Sequence, residues 1–138
     1  KQMEQQMGAG GDFAYAYVVA HEVGHHVQNL AGIADQVRKL QARSSEADGN
    51  RLQVGMELQA DCFAGVWAGV NAERIEPGDI EEGMRAANAI GDDTLMQQAG
   101  RAPVESMFTH GTSAQRMEAL QRGLKSKNPN TCNYLKGL

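Results

Sequence analysis

The sequence predicts a mainly α-helical domain, because two long stretches have helical character and no stretch has strand character. Residues 13–30 contain no proline and carry apolar residues on nearly every side, which is typical of a helix buried in a core. Residues 52–70 form the second long helical stretch, and its small residues would let another backbone approach closely. Alternation of apolar and polar residues does not persist for more than a few positions.

Shorter helices are expected around these two. Asp12 is suited to cap the first long helix, and Gly32 is suited to end it. Residues 33–43 repeat apolar side chains at a spacing of three to four and predict a second helix. Residues 44–50 are rich in turn-forming types and predict a break before the helix at 52–70.

The C-terminal half continues the helical pattern. A helix is expected to follow Gly78, with residues 91–93 ending it. Thr112 and Gln115 form a capping-box pattern that opens a last helix to about residue 124.

Composition limits both the architecture and the partners. The 138 residues are enough for one domain over 1–138, and a first residue other than Met suggests the C-terminal catalytic part of a longer precursor. Thirteen Lys and Arg against seventeen Asp and Glu give a net charge of -4, with the basic residues scattered. Nucleic acid is therefore not an expected partner. No apolar run approaches the roughly 20 residues that cross a bilayer.

The two cysteines leave two alternatives open. Cys62 and Cys132 are too far apart in sequence for a CxxC redox or zinc motif. A disulfide between them would tie the tail to the centre of the chain and indicate an oxidising compartment. Two unpaired, buried thiols fit the same spacing.

The strongest indication of chemistry is the sequence His21-Glu22-Val23-Gly24-His25. Residues four apart share one face of a helix, so both imidazoles could hold one ion, and zinc suits nitrogen donors. Glu22 would stand beside the ion and act as general base towards a metal-activated water. His26 points about 100° away from His25 and is expected to be structural or at the surface.

A catalytic zinc site usually has three protein ligands, so a third donor is expected on another element. Glu57 and Asp61 again lie four apart, on the second long helix. We expect Glu57 to bind the ion and Asp61 to accept the remaining ring proton of a ligand histidine. The alternative is that both are solvated helix residues, or that the two histidines are hydrogen-bonded core residues without a metal.

These motifs resemble those of the bacterial "putative neutral zinc metallopeptidase" family, which is gluzincin-like. The resemblance covers the segments 16–30, 57–65, 89–93 and 108–116, and so extends over most of the chain. It implies a zincin-like helical metallopeptidase domain, in which the active-site helix packs against a second ligand-bearing helix.

The resemblance also extends, more distantly, to other gluzincins, including the integral-membrane CAAX-protease relatives. In these proteins a histidine and a following arginine come after the ligand helix, and His110 and Arg116 correspond to them. His110 would then help to stabilise the oxyanion, and Arg116 would brace a carboxylate of the site. Gly111 stands where those relatives commonly have proline, and His110 could instead be a helix-entry residue.

Location and partners follow from the same resemblance. Family members usually have an N-terminal membrane anchor, which implies the extracytoplasmic face of the bacterial cell envelope, with a membrane contact only through that anchor. Zincins generally bind an extended peptide against an edge strand, and no such strand is visible in this sequence. The chain by itself is therefore expected to hold zinc and to cleave poorly.

The sequence thus predicts a zinc metallopeptidase, most simply an endopeptidase, that hydrolyses peptide or protein substrates with zinc as its cofactor. Two rivals come from other classes. One is a zinc-stabilised, catalytically inactive interaction domain, which would have a closed metal site. The other is a metal-free helical scaffold, whose stability a chelator would leave unchanged.

Overall fold

The computed structural model describes residues 12–74, 78, 79, 82, 83, 85, 91–104 and 107–135. These residues contain no β-strand, and five α-helices begin and end among them. The predicted mainly α class is therefore confirmed. The helices are α1 (Asp12–Leu30), α2 (Ile33–Ala42), α3 (Glu46–Val70), α4 (Asp92–Gln98) and α5 (Ser113–Ser126). Residues 79, 82, 83 and 85 are also helical, and the rest of the helix predicted after Gly78 lies outside the described residues.

Helix α3 forms the centre of the fold, because α1, α2 and α5 each pack against it. Three groups of buried apolar side chains mark these contacts. The first joins α1, α3 and α5, the second joins α3 to α5 and the C-terminal tail, and the third joins α2 to α3. Their buried members are, in that order, Tyr17, Ala64, Ala68 and Leu120; Leu58, Cys62, Ala119 and Cys132; and Ala34, Val37 and Met56.

Helices α3 and α5 touch through their backbones. A Cβ built on Gly123 of α5 would lie 1.9 Å from the carbonyl oxygen of Cys62, and one built on Gly65 of α3 would lie 2.0 Å from that of Leu120. No side chain fits at such distances, so each helix has a glycine where the other backbone passes. The close approach predicted for the small residues of this helix is therefore observed, with α5 as the partner.

A disulfide fastens the C-terminal tail to this helix pair. Cys62 of α3 is bonded to Cys132 across a sequence separation of 70. Closing a loop of that length removes unfolded-state entropy worth about 4 kcal/mol in the chain-entropy model. Of the two alternatives left open by the sequence, the structure has the paired one.

Helix α3 begins earlier than the sequence predicted. The expected break at 44–50 shrinks to a short turn, because Ser45 is the N-cap of the helix and its side chain accepts a hydrogen bond from the backbone N–H of Asp48. Serine and aspartate favour turns and helix starts alike, since in both they bond to nearby backbone N–H groups. The prediction of a break was wrong for that reason.

Residues 91–93 begin a helix, whereas the sequence predicted that they would end one. Gly91 is the N-cap of α4. The carboxylate of Asp93 accepts a 2.8 Å hydrogen bond from the backbone N–H of Ser113, the first residue of α5. Acidic residues are stabilised at helix N-termini, so the aspartate pair marks a start at least as well as an end.

Helix α1 is buried on one side only, which corrects the prediction of a helix enclosed all round. Val19, Val23 and Val27 are 62%, 55% and 43% exposed. These three valines therefore lie at the surface of the domain and not in its core. Across the described residues, no helix combines the length and apolar character that crossing a bilayer requires.

Candidate metal centre

Side chains from α1 and α3 converge at one point. His21 and His25 lie one turn apart on α1, and Glu57 projects towards them from α3. The Nε2 atom of His21 is 3.2 Å from Oε1 of Glu57, and Nε2 of His25 is 3.0 Å from Oε2. The two Nε2 atoms are 3.1 Å apart. The structure thus brings together the three residues that the sequence suggested as ligands.

The close approach of the two helices depends on small residues beside the ligands. Gly24, between the two histidines, faces Ala60 of α3, and a Cβ at position 24 would lie 3.1 Å from the Cα and the carbonyl oxygen of Ala60. A larger side chain at either position would push the helices apart. The spacing of the three donor groups therefore depends on this contact.

The spacing of the donors fits a zinc ion. Nitrogen and oxygen ligands at 2.0–2.2 Å in tetrahedral geometry lie roughly 3.3 Å from one another. The nearest contacts among the three residues are 3.0 to 3.2 Å, and the two histidines contact different oxygens of Glu57. One ligand atom from each residue lies within 4.8 Å of the other two, so small shifts of the side chains would place all three around one ion. Two imidazoles and a carboxylate are also a donor set that zinc favours.

His21 is oriented by a buried ionic network. Its Nδ1 lies 2.8 Å from Oδ1 of Asp61, and that carboxylate also accepts from the Tyr17 hydroxyl at 2.6 Å and from two nitrogens of Arg116 at 2.8 and 3.0 Å. Since an ionised carboxylate only accepts, Nδ1 carries a proton, and Nε2 is the ring nitrogen that faces Glu57. Asp61 therefore has the contact expected of a carboxylate that orients His21, and Arg116 has the contacts expected of a residue that holds this carboxylate in place.

His25 is oriented by an amide. Its Nδ1 lies 2.8 Å from Oε1 of Gln28, whose Nε2 donates to the carbonyl oxygen of Met56 at 2.9 Å and to Oε1 of Gln59 at 2.8 Å. Both of those partners are acceptors, so the oxygen of Gln28 is the atom that faces His25. Gln59 in turn donates to the carbonyl oxygen of Cys132 at 3.2 Å. A chain of hydrogen bonds therefore connects the second histidine to the disulfide-bonded tail.

The resulting pocket attracts positive charge. With both Nδ1 atoms donating, the Nε2 atoms are the ring nitrogens that face the carboxylate of Glu57, where each can carry a proton or bind a metal ion. Burial lowers the pKa of His21, but hydrogen bonds with Asp61 and Glu57 outweigh it and raise this pKa to about 9. Burial raises the pKa of Glu57, but hydrogen bonds with His21 and His25 hold it well below its usual value. A cation at the centre satisfies all three donors at once.

The other residues singled out from the sequence lie nearer to solvent. Glu22 and His26 of α1 are exposed, and the predicted capping box is present at the start of α5. His110 is also exposed, and its Nδ1 lies 3.0 Å from Oγ1 of Thr109. A part for His110 in catalysis stays a prediction.

Two residues of the site were missed by the sequence reasoning. Tyr17 precedes His21 by four positions and Gln28 follows His25 by three, so both share the ligand face of α1. Buried polar groups require partners, and a tyrosine and a glutamine in register with two ligand histidines are suited to supply them. That register was available in the sequence as a signal.

Replacing Gln28 is expected to weaken zinc binding. In Gln28→Met the ring of His25 loses its acceptor, and we expect the zinc dissociation constant to rise about 10- to 100-fold. A competition titration with a chromophoric chelator measures this constant. Gln36→Met, at an exposed position of α2, is the matched control and should leave it unchanged. An unaltered dissociation constant in Gln28→Met would mean that the amide does not orient the ligand.

Fold and site together define a class of protein. A mainly helical domain with two histidines and an intervening glutamate on one helix, and a third donor on the next, has the arrangement of a zinc metallopeptidase domain. The chain belongs to the family described as Putative neutral zinc metallopeptidase, which matches residues 1–135. The family predicted from the motifs is thereby confirmed, and its name implies zinc.

The curated relatives are bacterial proteins. The chain is 54% identical over 133 residues to uncharacterized protein YpfJ of Escherichia coli K12. The aligned region covers 95% of this chain and 46% of the relative. The chain is 41% identical over 138 residues to uncharacterized protein Rv2575 of Mycobacterium tuberculosis H37Rv, covering 91% of this chain and 45% of the relative. The chain thus spans just under half the length of these relatives. No solved structure matches it at a significant level.

Proposed function

We propose that the protein is a zinc-dependent peptidase that hydrolyses peptide bonds, with Glu22 as its general base. The observation that carries the proposal is the convergence of His21 and His25 of α1 with Glu57 of α3, through contacts of 3.0 to 3.2 Å. Glu22 lies on α1 between the two histidines. The family name, which includes zinc metallopeptidase, supports the same class.

A bound zinc ion supplies Lewis acidity, which polarises a carbonyl oxygen and lowers the pKa of water. The side chains of the protein provide the remaining steps. Glu22 follows His21 directly, so its exposed carboxylate can take a proton from water beside the donor cluster. The same carboxyl group then returns the proton to the leaving amine, while Asp61 and Gln28 keep the two imidazoles fixed.

For the substrate and the location, the proposal names only a class of molecule and a cellular compartment. A peptide or protein is the substrate class, and the extracytoplasmic face of the cell envelope is the proposed site of action. The disulfide between Cys62 and Cys132 supports this location, because disulfides persist in oxidising compartments.

Removing the metal tests the proposal. The full-length protein is expected to contain about one zinc ion per chain by elemental analysis and to hydrolyse an unfolded protein such as casein. A strong zinc chelator should abolish hydrolysis and lower the Tm, because a metal that binds only the folded state stabilises it. Added zinc should restore both.

Three results would contradict the proposal. Hydrolysis that continues at the same rate in the chelated protein would exclude zinc catalysis, and iron in place of zinc would indicate another chemistry for the same donor set. Zinc-loaded protein without any hydrolysis would favour the inactive interaction domain.

A further inference from the structure

An apolar groove runs along the side of α1 that the fold leaves open. It encloses about 460 Å³ between α1 and α3. Its lining includes Gly24, where α1 lies close to the backbone of Ala60 in α3. Its walls are apolar side chains, of which the larger are Val19, Val23, Val27, Phe63 and Trp67.

The apolar side chains that line this groove are unusually exposed for the surface of a complete protein. The three valines of α1 are about half exposed, and Trp67 of α3 is 44% exposed. Single exposed apolar side chains are common on proteins, but a contiguous patch contributed by two helices marks a place where something binds. The tight contact of Gly24 with Ala60 prevents the helices from closing the groove themselves.

A substrate over the metal would not fill this groove. On a helix with 100° between residues, Glu22 projects about 80° to one side of the line through the two ligand histidines. Gly24 and Val27 project about 80° and 140° to the other side. Val23 projects directly away from the ligands, and Val19 projects about 140° round on the Glu22 side. The groove is therefore centred on the face of α1 that points away from the ligands.

We propose that the groove binds a segment of the same protein from outside these 138 residues, through an apolar helix face or strand. The relatives are more than twice as long as the part that the chain matches. A covalently attached segment is present at an effective concentration near the millimolar range, so it has an advantage over any separate partner. When this segment is docked, α1 would be packed between α3 on one side and the segment on the other.

Charge argues against a membrane surface as the occupant. Helices that lie on membranes carry Lys and Arg beside their apolar face. The sequence of α1 contains neither Lys nor Arg, and residues 61–70 of α3 contain neither as well. A net charge of -4 adds no attraction to an anionic surface.

Site-specific photo-crosslinking in the full-length protein tests the proposal. A diazirine amino acid close in size to leucine is placed at position 23, within the groove, and in a second variant at position 19, on its rim. The same residue at position 36, on exposed α2, is the matched control. The small side chain keeps the docked state possible, and the readout does not depend on zinc or on hydrolysis.

The expected result is a crosslink within one chain. Mass spectrometry should join position 19 or 23 to peptides outside the 138 residues in a product of monomer mass, with no such product from position 36. Crosslinks to the same segment of a second copy, adducts with lipid, or reaction with solvent alone at both groove positions would each overturn the proposal.

Discussion

Glu22→Gln should retain its zinc and lose hydrolysis. A positioned general base contributes about 10²- to 10⁴-fold to the rate, so we expect the turnover of a peptide substrate to decrease by a factor of about 10² to 10⁴. Glutamine has nearly the same shape as glutamate but cannot take up the proton. Because Glu22 is exposed and is not one of the three converging donors, metal content and Tm should remain those of the unaltered protein.

Glu46→Gln is the matched control for this variant. Glu46 is an exposed glutamate in the first turn of α3, roughly 16 Å along the helix from Glu57. Its replacement removes the same charge from the molecule and should leave turnover unchanged. If Glu22→Gln cleaved within a few-fold of the rate of Glu46→Gln, another group would have to be the base.

The largest loss of stability is expected from Asp61→Ala. Asp61 is fully buried, and its carboxylate faces the guanidinium of Arg116, which is 3% exposed. Truncation leaves that cation buried without its counter-ion and also removes the partner of His21. Breaking a buried pair from one side costs about 3–5 kcal/mol, a large part of the stability of a typical domain.

Urea unfolding of the full-length protein measures this loss. Asp35→Ala is the control, because Asp35 also pairs with an arginine, Arg38, but both are exposed. Its free energy of unfolding should change by about 0.5 kcal/mol or less. A loss below about 1 kcal/mol in Asp61→Ala would show that the buried network contributes little.

A double variant separates the ion pair from general packing. Arg116→Met removes the cation, so Asp61→Ala combined with Arg116→Met should be less destabilised than the sum of the two single variants. Additive losses would mean that the two side chains act independently of each other.

The long helices and the site could be predicted because both depend on local spacing. Pairs four residues apart, His21 with His25 and Glu57 with Asp61, share a helix face wherever that helix lies. What remained hidden depends on tertiary contacts. Val23 has the same apolar side chain whether a neighbour covers it or not, so the open side of α1 could not be predicted from the pattern.

Helix boundaries were hidden for a different reason. Serine, aspartate and glycine are compatible with both turns and helix starts, so residues 44–50 and 91–93 did not distinguish the two. Two hydrogen bonds decide the matter: the backbone N–H of Asp48 donates to the side chain of Ser45, and the backbone N–H of Ser113 donates to the carboxylate of Asp93. The second joins residues twenty positions apart.

The glycine contact between α3 and α5 has a consequence for how this domain can vary. Gly65 and Gly123 each face a backbone carbonyl of the other helix. A methyl group at either position would force the helix axes apart and draw the guanidinium on α5 away from its carboxylate on α3. Mutational drift at these two positions is therefore limited by the distance between two main chains, and neither hydrophobicity nor charge can compensate for the lost space.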